Sequence, residues 1–351
     1  MIQLMFKERR RFGSRLRTAT AFVMAVAACV FWSAPAWPQS VQSSQIIEGA
    51  KKEGTLVWYT AMSSSDAKPI LDAFVKTYPF VEAEFVDITS PRLIQRVNIE
   101  ALAGKWLFDV ASGNNLVAIA DKLLPYFPPQ AAGIPKEFKD SKGRWTGYDH
   151  NYYVLAYNTK MVTKAEVPRR YEDLLEPKWK GNILMDEGDH SWYGALIGAW
   201  GKEKTDAFMT KLAAQDIQWR RGHTLLLQLV AAGEAPLGMP YANSTERLKR
   251  QGAPVDWVDT LRPIVTGLNY IGISAKPKNP NTAKLFVDFM LSKQGQEVIR
   301  DRGRLPARSS VQPLSPKAHS TRLTLQRIPD EVYLRNPYFA SEFRRIFKLQ
   351  R

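Results

Sequence analysis

Beyond residue 45 the sequence alternates short β-rich runs with amphipathic helical runs, and this alternation limits the possible folds more than any other feature. Residues 55–59 are typical of a buried strand, a loop of small polar residues follows, and Ile70, Leu71 and Phe74 then recur at helical spacing. Strand, loop and helix in repeated succession predict an α/β fold, in which helices cover mostly parallel sheets.

The same unit recurs with clear start and stop signals for its helices. Residues 84–88 predict a second strand, Ser90 and Pro91 predict a helix start, and Gly104 predicts the end of that helix. Further strands are predicted at residues 108–111, 182–185 and 236–239, and further helices from 191, at 225–232 and from 243 to 252. We therefore expect ordered secondary structure along most of the chain.

The first forty residues have the pattern of an export signal. Five arginines between Arg9 and Arg17 form a positive head, and twelve residues without charge, 21–32, follow. Because a bilayer core needs about twenty helical residues, this run is too short to span it. Small residues precede Ala36, so we predict a signal peptide at 1–36 and a periplasmic mature protein.

Two other export routes remain open. The run from Arg9 to Phe12 resembles a twin-arginine signal, and the run from Val26 to Cys29 loosely resembles a lipoprotein box that would be lipidated at Cys29. Cys29 is the only cysteine, so a chain cleaved after Ala36 has neither a disulfide nor a thiolate that could bind a metal or act as a nucleophile. Its stability must then come from core packing.

The chain is basic, with a formal net charge of +15 at pH 7. Loss of the predicted signal removes six basic residues and one acidic residue, which leaves +10. After the signal there is no long basic run, no zinc-finger spacing and no other nucleic-acid motif, so we expect no nucleic-acid partner. A field that draws small anions towards a cleft is the functional interpretation of this charge.

Four stretches of the sequence, taken in order, carry a resemblance to a known family. They are Glu-Gly-Ala-Lys-Lys-Glu-Gly (48–54) with Leu-Val-Trp-Tyr (56–59), Val-Leu-Ala-Tyr-Asn-Thr-Lys (154–160), Tyr-Glu-Asp-Leu (171–174) with Pro-Lys-Trp-Lys-Gly-Asn (177–182), and Gly-Ile-Ser-Ala (272–275) with Asn-Pro (279–280) and Ala-Lys-Leu-Phe-Val-Asp-Phe-Met-Leu-Ser-Lys-Gln-Gly (283–295). Together they resemble the extracellular solute-binding proteins of bacterial ABC importers, in the type II cluster that includes ferric-ion binders.

This resemblance implies a two-lobed type II periplasmic binding protein fold, with two hinge strands and a cleft between the lobes. The predicted hinge strands are at 147–152 and 268–273. Lobe 1 is predicted at 45–147 plus 272–308, and lobe 2 at 148–271. A C-terminal helical extension is predicted at 309–351, with Phe339, Phe343 and Ile346 buried. The resemblance also implies a monomer that captures a small-molecule solute and passes it to a membrane permease, without catalysis and without a cofactor.

The ligand is expected where the carboxyl ends of parallel strands meet, because the starts of helices there favour oxyanions. Small polar residues in two loops can donate hydrogen bonds, aromatic residues can stack on a ligand, and an arginine and a histidine lie near a helix start and a hinge. The predicted ligand-binding residues are Ser63, Ser64, Ser65, Ser112, Asn114, His150, Trp192, Tyr193, Arg221 and Tyr241.

Ferric iron is a hard cation that needs anionic oxygen ligands, and iron-binding relatives supply them chiefly as two adjacent tyrosines. Here the corresponding segment contains only Tyr241, and the loop after the first strand has no histidine. Tyr152 and Tyr153 are adjacent, but neighbouring side chains on a strand point to opposite faces. The sequence therefore favours a small organic or inorganic anion and keeps ferric iron or an iron chelate as the alternative.

Other ligands and other classes of protein also remain open. Three carboxylates, Asp186, Glu187 and Asp189, lie beside Trp192 and would suit a polyamine, and a sugar also remains possible. A secreted enzyme or a sensory input module on the same fold is the alternative of another class. The chain has no Gly-x-Ser-x-Gly elbow, no His-Glu-x-x-His zinc motif and just four histidines, so we predict no catalytic residues and no protein-bound metal.

Overall fold

The structure, a computed structural model, describes residues 41–349. The predicted signal peptide at 1–36, with its two alternative export motifs and Cys29, lies outside the described residues. Within residues 41–349 no helix combines the length and the apolar character that crossing a membrane requires.

Helices and strands alternate along most of the described chain, as the sequence predicts. The α-helices are α1 Val41–Glu53, α2 Ser64–Thr77, α3 Ser90–Leu102, α4 His190–Trp200, α5 Lys202–Ala213, α6 His223–Ala232, α7 Ala242–Arg250, α8 Pro280–Leu291, α9 Lys293–Asp301, α10 Asp330–Leu334 and α11 Asn336–Phe347. The strands are β1 Thr55–Thr60, β2 Glu82–Asp87, β3 Val110–Gly113, β4 Leu123–Leu124, β5 Thr146–Tyr152, β6 Ala156–Asn158, β7 Ile183–Asp186, β8 Gln218–Arg220, β9 Leu237–Gly238, β10 Val255–Trp257, β11 Ile264–Ser274, β12 Leu305–Pro306 and β13 Leu325–Arg327. Short 3-10 helices span Leu116–Lys122, Pro129–Gly133, Lys136–Phe138, Tyr171–Leu175, Pro177–Trp179, Pro316–Ala318 and Ser320–Arg322.

The first sheet has the strand order β12-β5-β11-β3-β1-β2, and β4 and β13 also pair with β11. Strand β1 runs parallel to β2 and β3, whereas β11 runs antiparallel to β3 and β5. Trp58 on β1 is fully buried, with its ring 5.0 Å from that of Phe286 on α8. The loops that follow β1 and β3 therefore open at one edge of a well-packed sheet.

The second sheet has the strand order β10-β6-β9-β7-β8. Strand β7 runs parallel to both of its neighbours, β8 and β9. Helix α4 contributes to the core of the same lobe and is apolar on nearly every side, which is the pattern of a buried helix. The loops that follow β7, β8 and β9 leave the sheet at a common edge, and these loops carry most of the polar residues considered below.

Each sheet has its own cluster of buried apolar residues, so the chain has two α/β lobes, as predicted. The predicted hinge segments at 147–152 and 268–273 lie inside β5 and β11. After β5 the chain enters the second lobe, where Tyr153 N donates to Val265 O at 2.9 Å and Val154 N donates to Pro240 O at 3.1 Å. The residue numbers given above for the lobe boundaries stay predictions.

The C-terminal segment returns from the first lobe to the second. Strand β13 pairs in parallel with β11, and α10 and α11 follow it. Phe339, Phe343 and Phe347 on α11 are buried in the core of the second lobe, whereas Ile346 is only partly buried. The predicted apolar face is thus correct for two residues, and Phe347 rather than Ile346 completes it.

Candidate ligand-binding site

A cavity of about 200 Å³ lies where the two lobes, the hinge strands and the C-terminal segment meet. Its lining comprises Asn114, Asn151, Tyr153, Ser191, Tyr241, Gly267, Leu268, Asn269, Arg304, Ile328 and Tyr333. A larger crevice of about 520 Å³ lies beside Trp257 and Lys317, and its described lining comes from the second lobe and the C-terminal segment. Because both lobes contribute to the smaller cavity, lobe closure can act there, and we take it as the candidate site.

Three parallel strands of the second sheet bring their loops to this cavity. Strand β7 ends at Asp186, β8 ends shortly before His223, and β9 is followed by Tyr241, which precedes the first residue of α7. Since β7 lies between β8 and β9 and runs parallel to both, the residues that follow these strands share one edge of the sheet. Side chains more than fifty positions apart in the sequence therefore become neighbours.

Tyr153 reaches the same place from the hinge. It directly follows β5 and forms an isolated antiparallel bridge with Tyr241. The two rings lie 5.0 Å apart at 73°, and the Tyr241 hydroxyl donates to the Tyr153 hydroxyl at 3.4 Å. Burial raises the pKa of both phenols, so both are protonated near neutral pH. Binding of a cation would offset the free-energy cost of removing these protons.

The imidazole of His223 stacks on the ring of Tyr241, with 4.0 Å between the ring centres and an angle of 14°. Its Nε2 lies 3.0 Å from Asp189 Oδ1, and its Nδ1 lies 3.7 Å from Asp186 Oδ2. Burial lowers the pKa of His223, but the two carboxylates outweigh burial and raise this pKa above its usual range. The stacked imidazole therefore supports the ring of Tyr241.

Asp186, Asp189 and His223 each place a possible metal-ligand atom within 4.8 Å of the others. Much of the hydrogen-bonding capacity of these carboxylates is already used. Gly188 N donates to Asp186 Oδ1 at 2.7 Å, Gly222 N donates to Asp186 Oδ2, and Asp189 bonds to His223. These contacts join the loops after β7 and β8. The cluster therefore holds in place the loops that lie beside the cavity.

Arg304 forms part of the wall on the side of the first lobe. Its Nε pairs with Asp149 of β5, its Nη1 lies 3.2 Å from Asp66 Oδ2, and its side chain is only 16% exposed. Asn269 Nδ2 donates to Asp149 Oδ1 at 2.5 Å. Burial lowers the pKa of Arg304, but Asp149, Tyr148 and Asp66 together raise it by more, so the guanidinium stays charged. Among the described residues that line the cavity, the arginine is therefore already paired with two carboxylates of the protein.

One amide in the lining lacks a partner. The side-chain oxygen of Asn151 is buried and accepts no hydrogen bond from the described residues. A buried acceptor without a donor costs about 1–3 kcal/mol, so a bound molecule that carries an O–H or N–H group would satisfy it. Together with Asn114, Asn269 and Ser191, Asn151 adds uncharged polar groups to the lining, which also includes the apolar Leu268 and Ile328.

Two of the ten predicted site residues, Asn114 and Tyr241, line this cavity. The serines that precede and begin α2 do not. Ser64 donates to Asp87 Oδ2 from both its N and its Oγ, each at 2.9 Å, and the Oγ atoms of Ser63 and Ser65 lie 3.0 Å apart. Their hydrogen bonds therefore organise the start of α2, outside the lining.

Ser112 and His150 are also placed elsewhere. Ser112 Oγ accepts from Trp58 Nε1 at 2.9 Å and lies 2.8 Å from Thr60 Oγ1, deep in the core of the first lobe. The imidazole of His150 stacks on Tyr152 at 5.1 Å, and its Nε2 lies 3.0 Å from the Tyr152 hydroxyl. Burial lowers the pKa of His150 to about 3, so it stays neutral and structural.

Trp192, Tyr193 and Arg221 complete the residues that the structure places away from the cavity. Trp192 and Tyr193 are fully buried in the core of the second lobe, and the Tyr193 hydroxyl donates to Asp206 at 2.7 Å. The first turn of α4 faces the core because nearly every side of this helix is apolar. Arg221 is 86% exposed and pairs with Glu187 at 3.0 Å on the surface.

Tyr153 and Tyr333, which are not among the predicted site residues, line this cavity together with Tyr241. The alternation of side chains along a strand was the available signal for Tyr153. Tyr152 is buried beside His150, so its neighbour must point the other way, towards the second lobe. The sequence offered no comparable signal for Tyr333, which arrives through the C-terminal segment.

Two α/β lobes, two hinge strands and a polar cavity between them define a two-lobed periplasmic binding protein. The family model for bacterial extracellular solute-binding proteins matches residues 89–328. The chain therefore belongs to this solute-binding family, and it is a binding protein of the type that serves ABC importers.

Relatives in sequence are distant but extend over much of the chain. An uncharacterised protein of Haemophilus influenzae is 25% identical over 269 residues, which cover 72% of this chain and 78% of that protein. The Fe(3+)-binding periplasmic protein of Serratia marcescens is 23% identical over 199 residues, which cover 53% of this chain and 57% of that protein.

Two solved structures share the fold. Iron-bound HitA of Pseudomonas aeruginosa superimposes with a TM-score of 0.73 at 19% identity, covering 83% of this chain and 99% of HitA. AfuA of Actinobacillus pleuropneumoniae, solved with fructose-6-phosphate bound, superimposes with a TM-score of 0.70 at 23% identity, covering 85% of this chain and 99% of AfuA. At these identities the similarity establishes the fold alone.

Proposed function

We propose that this protein is the solute-binding component of an ABC importer that captures ferric iron in the periplasm and delivers it to a membrane permease. The observation that carries the proposal is the 3.4 Å separation between the hydroxyl oxygens of Tyr153 and Tyr241. Oxygens bound about 2.0 Å from one small cation lie about 2.8 to 3.3 Å apart at bond angles of about 90° to 110°. A small adjustment of either ring therefore lets both oxygens bind one ion.

The charges around the cavity support a cation. Behind the cavity wall, the carboxylates of Asp66 and Asp149 contact Arg304, and those of Asp186 and Asp189 lie beside His223. Arg302 adds one more basic side chain, but it lies 3.8 Å from Asp66 and is 40% exposed. Acidic side chains therefore outnumber basic ones there although the whole chain is basic, and the arginine of the described lining, to which a small anion would bind, already has two carboxylate partners.

The names of several relatives agree with this proposal. The Serratia marcescens protein is named for ferric-ion binding, two Synechocystis relatives are named iron uptake proteins A1 and A2, and the Pseudomonas aeruginosa structure contains iron. In this chain the second phenol comes from the hinge rather than from the residue next to Tyr241. The site would thus use the same chemistry through different positions.

A second candidate is a hydroxylated organic anion, such as a sugar phosphate. Arg304, the unpartnered Asn151 oxygen and the amide of Asn114 favour it, because they offer one charge and several hydrogen bonds. The structural similarity to AfuA with fructose-6-phosphate agrees with this candidate. We rank it second because two carboxylates already pair with the arginine.

The test titrates purified protein with ferric nitrilotriacetate and, separately, with fructose-6-phosphate. Iron bound by tyrosines should give a phenolate-to-iron charge-transfer band in the visible spectrum, with one equivalent bound and no product released. Tyr153→Phe should remove much of the band, whereas the matched control Tyr152→Phe should keep it, because Tyr152 points away from the cavity towards His150. If fructose-6-phosphate raised the unfolding temperature and iron gave no visible band, the result would favour a hydroxylated organic anion as the solute and contradict ferric iron.

A further inference from the structure

The C-terminal segment contributes directly to the cavity, although no ligand-binding residue is predicted there from sequence. After β13 the backbone of Ile328 donates to Thr266 O of the hinge strand β11 at 3.0 Å. Helix α10 follows at once, and its Tyr333 lines the cavity together with Tyr153 and Tyr241. A segment at positions 325–334 thus passes the hinge and adds a third phenol to the site.

Packing fixes α10 in this place. Val332 is buried against Gly194 of α4, where a Cβ atom would come within 2.8 Å of the Val332 Cγ atoms. On the other side, Arg327 Nη1 donates to the Tyr270 hydroxyl at 3.1 Å and to Asp330 Oδ1 at 2.6 Å. Contacts with both lobes therefore set the direction in which α10 presents its tyrosine.

The hydroxyl of Tyr333 is available to a ligand. It accepts and donates no hydrogen bond within the described residues, although burial removes much of its contact with solvent. It lies above Gly267 of β11, since a Cβ atom built there would be 3.8 Å from this oxygen. The Tyr333 hydroxyl therefore lies against the hinge strand at Gly267.

Tyr333 also interacts electrostatically with the other phenols. Burial raises its pKa most, and neighbouring Tyr270 and Tyr241 raise it further, whereas Arg327 lowers it. Tyr333 in turn raises the pKa of Tyr153. The geometric link is the cavity itself, since Tyr153, Tyr241 and Tyr333 all line it and so face the same space.

We propose that Tyr333 is a third phenolate ligand of the bound metal, supplied by the C-terminal segment. This inference rests on the proposed capture of ferric iron. One Fe³⁺ replaces three phenol protons, which leave to solvent, so the metal and the three phenolates together carry no net charge. Neutrality matters in a partly buried cavity, where an uncompensated charge is costly.

The test compares Tyr333→Phe with Tyr338→Phe, a control in the same C-terminal segment whose ring is 39% exposed and rests on Phe339. Iron is supplied as the nitrilotriacetate complex, and the visible band and the protons released are both measured. After correction for the proton that the released nitrilotriacetate takes up, Tyr333→Phe should release one proton fewer per iron than the wild type and lose about one third of the band, whereas Tyr338→Phe should match the wild type.

Each outcome has a defined meaning. An unchanged proton count and band in Tyr333→Phe overturn this inference and leave the proposed function intact, whereas a wild-type protein without any band overturns the proposed function itself. Should Tyr333→Phe unfold at lower temperature without metal, the wild type supplies a second measurement. On loading with Ga³⁺, the ring signals of Tyr333 should shift in NMR spectra and those of Tyr338 should not; shifts of equal size would contradict the assignment.

Discussion

The hydroxyl oxygens of Tyr153 and Tyr241 lie 3.4 Å apart although 88 positions separate the two residues in the sequence. A β-bridge between the same two residues fixes this distance through the backbone rather than through flexible loops. His223, stacked on Tyr241 and held by Asp189, fixes the ring from the other side. The pair is therefore organised before a ligand arrives, which reduces the entropy lost on binding.

Affinity for ferric iron should fall as the pH is lowered. Burial raises the pKa of Tyr153 and of Tyr241, so both are protonated near neutral pH and must lose their protons when they bind the metal. Each proton released changes the affinity about tenfold per pH unit. Competition against a chelator, corrected for protonation of that chelator, should show this slope between about pH 6 and about pH 8. A flat profile would contradict binding through phenolates.

The stabilisation contributed by His223 should be largest in acid. Its pKa is raised in the folded protein, so its contribution is complete below the unfolded value of about 6.5 and is lost as the pH rises through the higher folded value. The difference in free energy of unfolding between wild type and His223→Gln should therefore shrink with rising pH in urea titrations. His319→Gln is the control, since His319 bonds to Thr321 rather than to a carboxylate. A difference that grows with pH would refute the ion pair.

Arg304→Met should destabilise the fold by about 3–5 kcal/mol, because it leaves the fully buried carboxylate of Asp149 without its cation. Arg221→Met is the matched control and should change the free energy of unfolding little, since its pair with Glu187 is exposed. Chemical denaturation of both variants measures the two effects. Equal stability of the two variants would mean that Asp149 is protonated in the folded protein.

Ser112 and Asn114, two positions apart, should respond in opposite ways to substitution. Ser112→Ala should cost about 1–3 kcal/mol of stability, because Trp58 Nε1 and Thr60 lose a buried partner, and it should leave the dissociation constant unchanged. Asn114→Ala should weaken ligand binding and leave the unfolding temperature nearly unchanged. Denaturation and titration of both variants test the pair. If Ser112→Ala weakened ligand binding without lowering stability, Ser112 would contact the ligand after all.

The fold was predictable from sequence because its signals are local. Ser90 and Pro91 lie in the first turn of α3, and the helix ends at Leu102, shortly before the predicted end at Gly104. The predicted hinge segments at 147–152 and 268–273 lie on β5 and β11, although β11 extends further at both ends. Capping residues, glycines and apolar spacing act within a few positions of the chain, and so the chain alone reveals them.

The site was less predictable because tertiary pairing assembles it. Tyr241 follows a parallel strand, and this local context was sufficient to select it. Tyr153 owes its place to a bridge with a distant residue, and Tyr333 owes its place to a segment that crosses between the lobes. Trp192 was selected as an aromatic residue at a helix start, but α4 is apolar on nearly every side and Trp192 is buried in the core. Residue type alone does not distinguish an aromatic residue that lines the cavity from one that packs in the core.

Tyr153 and Tyr241 pack against the core of the second lobe and Tyr333 packs against both cores, whereas Asn114 and Arg304 reach the cavity from the first lobe. If Tyr153 and Tyr241 bind the solute first, the second lobe can hold it before the first lobe closes over it. Loading and locking become separate events. When a permease opens the lobes, the solute would then still be bound to one of them. Release would require protonation of the phenolate oxygens or a competing ligand for the solute before transport could begin.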